Sequence, residues 1–247
     1  MDSETQAPSD APAKPESESS SASSPNLDHA AGSLTEDAAL SILKHRDLPA
    51  DEIDRIAKDS GAIKSRKVRL ALAAHPRAPR RIALRLIREL YTFDLMQFSL
   101  LPAAAADLKR AASELLITRL ASVTLGERLA LARRSSAIVA AALLLDKEPR
   151  VWQTALENPR VTEAAVVKAV NSLSPTPQFI EAVSRHAKWS LRPEIRIALL
   201  RNPHTPLARA LEFARRLPPA HLRDILHSSR LPEKIKSYLR KDAQSGR

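Results

Sequence analysis

Val68-Arg69-Leu70-Ala71-Leu72-Ala73-Ala74-His75-Pro76-Arg77-Ala78-Pro79 and Ile195-Arg196-Ile197-Ala198-Leu199-Leu200-Arg201-Asn202-Pro203-His204-Thr205-Pro206 are two copies of one pattern. Arg, Ala, Leu and both prolines recur at equal spacing, and apolar positions stay apolar. Beyond the second proline, Ala83, Leu84, Arg88 and Leu90 answer Ala210, Leu211, Arg215 and Leu217. A shorter copy, Trp152-Gln153-Thr154-Ala155-Leu156-Glu157-Asn158-Pro159-Arg160-Val161-Thr162, lies between them. A degenerate copy, Leu129-Ala130-Leu131-Ala132-Arg133-Arg134-Ser135, lacks the proline. Recurrence of this kind is the mark of a stacked repeat architecture.

Each copy predicts a helix of about two to three turns that stops at the His-Pro or Asn-Pro step, because proline disfavours helical geometry in the residue before it. A second helix is expected shortly after, capped by Thr162 or Thr205, with Pro79 or Pro206 as an early residue. Such short helices are marginal alone, since helix nucleation is costly, but stacked pairs bury a shared Leu/Ala/Ile/Val core. No alternating β-branched run with glycine turns competes with this pattern. Residues 102–121 predict the longest helix, with Leu108, Ala112, Leu115, Leu116 and Leu120 in register. Thr124-Leu125-Gly126-Glu127 reads as a capping box, and Leu217-Pro218-Pro219 and Leu231-Pro232 divide the C-terminal segment. Upstream, Thr35-Glu36-Asp37 favours a helix start before Ala38, Ala39, Ile42 and Leu43. Another short helix is expected after Pro49, with Ile53, Ile56 and Ala57 on one side. The expected fold is all-α: a short α-solenoid of stacked helix pairs over residues 33–247, with 33–60 as capping helices and 61–247 as the repeat array.

The paired short helices, with His75-Pro76, Asn158-Pro159 and Asn202-Pro203 as their clearest elements, resemble bacterial HEAT-like repeats and the leucine-rich repeat variant family over about residues 65–240. The step from Pro159 to Pro203 is 44 residues, which suits a HEAT-like unit, whereas Ser135 to Pro159 is 24, which suits the leucine-rich variant. The resemblance implies a helical solenoid. It implies no activity, because such repeats host many unrelated binding roles.

Composition narrows the chemistry. Zero cysteines exclude disulfides, thiolate catalysis and Cys-ligated metal centres, and four glycines cannot build a P-loop or a dinucleotide-binding turn. The longest stretches without a charge, such as 95–106 and 169–180, reach 12 residues and are too short to cross a bilayer. The start Met1-Asp2-Ser3-Glu4 does not read as a secretory signal, so a cytoplasmic location is expected. Charge is divided: residues 1–60 hold 13 acids and 5 bases, whereas 61–247 hold 15 acids and 34 bases, of which 25 are Arg. Residues 1–32, acidic and rich in Pro and Ser, read as a disordered tail with too few large apolar groups to offset the entropy of ordering.

The histidines do not form a metal site on sequence grounds. His221 and His227 sit six residues apart, which turns them about 240° from each other on one helix. We expect no catalytic, metal or cofactor site. HEAT-repeat DNA glycosylases resemble this architecture, and that resemblance would give roles to Trp152, Trp189 and either Asp146 or Glu157; packed tryptophans are the simpler account of both indoles. Basic residues carry more. On the helix after Pro79, Arg81, Arg85 and Arg88 project within about 60° of each other, opposite Ile82, Ala83, Leu86, Ile87 and Leu90. Arg66, Lys67 and Arg69 open the preceding helix and are expected to extend the basic edge. These six residues are the candidate partner-binding set, for an acidic protein, with nucleic acid phosphates as the alternative. Tyr91, Phe93, Met96 and Phe98 form a second candidate, either an apolar anchor for a partner helix or part of the local core.

Overall fold

The computed structural model describes residues 33–172 and 175–245, and the tail expected over 1–32 lies outside them. The described residues form fifteen α-helices and two 3-10 turns, with no strand. In chain order the helices fall into triplets. The first holds α1 (Glu36–Leu43), α2 (Ala50–Lys58) and α3 (Arg66–Ala74); the second holds α4 (Arg80–Glu89), α5 (Thr92–Leu100) and α6 (Ala106–Arg119). The third holds α7 (Leu125–Arg134), α8 (Ala137–Leu143) and α9 (Pro149–Leu156), and the fourth α10 (Glu163–Val170), α11 (Pro177–Arg185) and α12 (Pro193–Arg201). The last holds α13 (Leu207–Ala214), α14 (Pro219–Ser228) and α15 (Glu233–Ser245). In every triplet the first helix packs on the third, and the third packs on the second helix of the next triplet. This is a solenoid-like stack. The helix pairs expected from sequence are present, as in α3 on α4 and α12 on α13, and they straddle the boundaries between consecutive triplets.

A longer period runs through the stack. The starts of α1 to α6 and of α10 to α15 differ by 127 residues throughout, and the 3-10 turn Ala62–Lys64 maps onto Trp189–Leu191 by the same step. Buried positions follow it: Ala39 with Val166, Ile53 with Ile180, Val68 with Ile195, Leu86 with Phe213 and Phe98 with Ile225. Volumes are exchanged between the halves. Trp189, fully enclosed, stands where the first half has Ala62.

Local chemistry explains where helices begin. Thr35, Ser65, Thr124, Thr162 and Thr176 each accept an amide hydrogen from the first turn with the side-chain oxygen, which satisfies a donor that the helix cannot. Thr124 and Glu127 complete the expected capping box. Pro149, Pro177, Pro193 and Pro219 occupy the first helical position, where the missing N–H has no cost. Thr205 departs from expectation. Its hydroxyl is buried and donates to the Leu199 carbonyl at 2.6 Å, so α13 opens after Pro206 without a side-chain cap.

The residue before the marker proline does more than end a helix. Asn158 Nδ2 donates to the Ala132 carbonyl at 2.8 Å while its Oδ1 accepts from the Arg160 amide at 2.8 Å. Asn202 repeats this with the Val170 carbonyl at 2.8 Å and the His204 amide at 3.0 Å. His75 does so with its ring: Nδ1 accepts from the Arg77 amide at 3.2 Å, which leaves Nε2 to donate to the His45 carbonyl at 3.0 Å. Each side chain is buried, and each staples its own turn to the end of the helix lying alongside.

Candidate functional site

The site is built on α4. Ile82, Ala83, Leu86 and Ile87 are buried, while Arg81, Arg85 and Arg88 are exposed, so the stripe read from sequence stands on one side of a helix whose other side is core. Arg81 and Arg85 line a cleft of about 260 Å3 with Ile82 and with Asp54, Ala57 and Lys58 of α2. Arg85 Nη2 donates to the Ala57 carbonyl at 3.2 Å, which ties its guanidinium to the end of α2. Lys58 lies 3.4 Å from Asp54 as an exposed i,i+4 pair. Arg119 braces the far end of α4, donating to the Leu90 carbonyl at 2.6 Å and the Arg88 carbonyl at 2.7 Å. Among the ion pairs of the described residues, none involves Arg81, Arg85 or Arg88. Their neighbour Arg80 is paired, with Asp107.

The other three candidates are placed differently. Arg66 grips Asp94 with two hydrogen bonds, at 3.0 and 2.7 Å, and lies 5.2 Å from the centre of the Tyr91 ring. Lys67 donates to Glu36 at 2.9 Å. That bond, with a further one from Ser65, holds the Glu36 carboxyl below its ordinary range. Arg69 is half-buried, 5.9 Å from the Tyr91 ring centre, with its Nε enclosed and unpartnered. Arg66 and Lys67 line a groove between α3 and α5 that shares no residue with the α2–α4 cleft. The six residues thus fall into two sets: Arg81, Arg85 and Arg88 exposed on α4, the first two beside α2, and three basic residues on α3 engaged with Asp94, Glu36 and Tyr91.

The aromatic cluster is divided too. Phe98 is core, Met96 is half-buried, and Tyr91 and Phe93 are exposed at the start of α5. Both tryptophans are packed. Trp152 meets the Phe179 ring edge-on at 5.4 Å, and Trp189 donates its indole N–H to the Leu156 carbonyl at 2.9 Å. Asp146 is held by Arg128 at 2.8 Å and by the Glu148 amide at 2.9 Å, and Glu157 meets His186 at 3.0 Å. Among the described residues no group of His, Asp or Glu is placed to hold a metal ion, and no helix is long and apolar enough to cross a membrane.

Sequence patterning missed two things. Lys58 lines the cleft beside Arg81 and Arg85, from the basic last turn of a helix whose first turn is acidic. A second arginine cluster surrounds Phe213: Arg209 lies 4.9 Å and Arg196 5.9 Å from the ring centre. Burial, then the nearby Arg216, pushes the Arg196 guanidinium below its ordinary range. Arg196 donates to the Ser190 carbonyl at 2.7 Å and Arg209 to the Ser184 carbonyl at 2.8 Å, so this cluster fastens α12 and α13 to the elements before them. No family model, curated protein or solved structure matches the chain.

Proposed function

We propose that the protein is a non-enzymatic interaction scaffold of the cytoplasm, which receives an acidic segment of a partner protein along α4. The observation that carries this is the exposed row Arg81, Arg85 and Arg88, without acidic partners among the described residues, on a helix anchored by four buried apolar side chains. Guanidinium groups present a planar fork that pairs two-to-two with carboxylates, and the cleft beside Ile82 adds an apolar floor for the partner's backbone or side chains. The resemblance to HEAT-like repeats points the same way, since stacked helical repeats work by offering extended surfaces.

One feature favours a protein over nucleic acid. The row is short: the positions equivalent to Arg81 and Arg85 in the second half are Ala208 and Glu212, so no basic track continues along the repeats. The test is affinity capture on the full chain with and without nuclease. We expect an acidic protein to remain after nuclease treatment and to be lost with Arg81→Glu/Arg85→Glu. Capture that vanishes with nuclease, together with duplex binding that weakens steeply as salt rises, would replace this proposal by the nucleic-acid one.

A further inference from the structure

Arg201 closes α12, His204 lies in the turn that follows, and Arg230 lies just beyond α14. With Asn171, Ser172 and Ser228 they line a cleft of about 280 Å3 that has no carboxylate in its wall. All three basic side chains are exposed, and none takes part in an ion pair among the described residues. The backbone beneath them is fixed. Asn202 ties its turn to α10 through the Val170 carbonyl, Ser229 donates to the Leu200 carbonyl at 2.7 Å, and the Arg230 amide donates to the Arg201 carbonyl at 3.0 Å.

The internal duplication supplies a comparison within one chain. By the 127-residue step, Arg201, Ser228 and Arg230 stand where the first half has Ala74, Leu101 and Ala103, which line the groove between α3 and α5. The fold therefore does not require arginine at 201 or 230, whereas His204 stands where the first half has Arg77, there paired with Asp47. Arginine at a helix C-terminus is favoured by the helix dipole. That accounts for Arg201 but not for Arg230, which lies outside any helix. Bringing two guanidinium groups to one cleft without a counter-charge is repulsive, and an anion seated between them reverses the sign.

We propose that this cleft binds a phosphate dianion, free or as a monoester. Arg201 and Arg230 donate paired N–H groups to its oxygens, and the Ser172 hydroxyl and the Asn171 side-chain amide supply the remaining donors. A phosphate dianion brings more charge and more acceptor oxygens to such a cleft than a carboxylate does. The site is separate from α4 and does not depend on the role proposed for it.

Titration of the full chain at low ionic strength, with inorganic phosphate in one arm and phosphoserine in the other, read by calorimetry, tests this. One saturable site is expected in at least one arm, the tighter arm identifying the source. Arg201→Ala and Arg230→Ala should each weaken it about tenfold, with Arg133→Ala, an exposed arginine at the end of α7, unchanged and circular dichroism confirming the fold of each variant. Arg201→Lys and Arg230→Lys, which keep the charge but lose the fork, should fall between. A response that never saturates and is matched by chloride at equal ionic strength, or equal affinity in wild type and both alanine variants, would overturn the proposal.

Discussion

Asn202 shows how much one side chain can do in this fold. Buried at 6% exposure, it links its own turn to the neighbouring helix by two hydrogen bonds. Removing it strands the Val170 carbonyl and the His204 amide, so Asn202→Ala should cost about 2–3 kcal/mol in urea unfolding, and Asn158→Ala a similar amount. Asp59 makes the equivalent staple with a charge. It accepts from the amides of Ala62, Leu34 and Gly61, which hold its carboxyl below the ordinary value of 3.8. A carboxyl lowered in the folded state stabilises fully above its unfolded pKa, and that contribution is lost as pH falls through the folded value. Asp59→Asn should therefore flatten the acid limb of a stability-versus-pH curve below about pH 4; an unchanged limb would remove the staple from the account. The sequence marked Asn158 and Asn202 through their prolines. Their partners, 23 to 32 residues away, left no local trace.

At the scale of elements, hydrophobic periodicity identified most helices but not the depth of each position. Leu84 and Leu211, the repeated leucines of the sequence pattern, are only half-buried, whereas Leu86 and Phe213 two residues on are fully enclosed. Charge at the deeper sites leaves an ion without water or partner. Leu86→Asp should thus abolish cooperative melting, while Leu84→Asp should lower the midpoint and leave the transition cooperative. Phe213→Ala should cost about 3–5 kcal/mol, and Leu211→Ala markedly less. The candidate site was legible as a stripe for Arg81, Arg85 and Arg88, because angular spacing on one helix is local information. The pairing of Arg66 and Lys67 was not legible, because their partners, Asp94 and Glu36, lie 28 and 31 residues away. Arg85→Glu gives up the bond to the Ala57 carbonyl and sets a carboxylate beside Asp54, so it should cost about 1 kcal/mol.

For the molecule as a whole, the decisive regularity is the 127-residue step that relates six helices to six others. The sequence revealed it only over residues 68–90, where prolines and identical leucines coincide. Beyond that stretch the halves trade volumes, Phe98 for Ile225 and Ala62 for Trp189, which keeps the packing and erases the identity. The triplet period was hidden further, because the proline mark falls after α3, α9 and α12 but not after α6. A repeated scaffold whose interior is shared and whose surface differs between copies places function on the differing residues. The most direct measurement is fluorescence anisotropy of a labelled poly-glutamate peptide titrated with the full chain, wild type against Arg81→Glu/Arg85→Glu/Arg88→Glu. Saturable binding lost in the triple variant, with an unchanged circular dichroism spectrum and a cooperative melt, is the predicted result; equal binding by both proteins, or none by either, would contradict it.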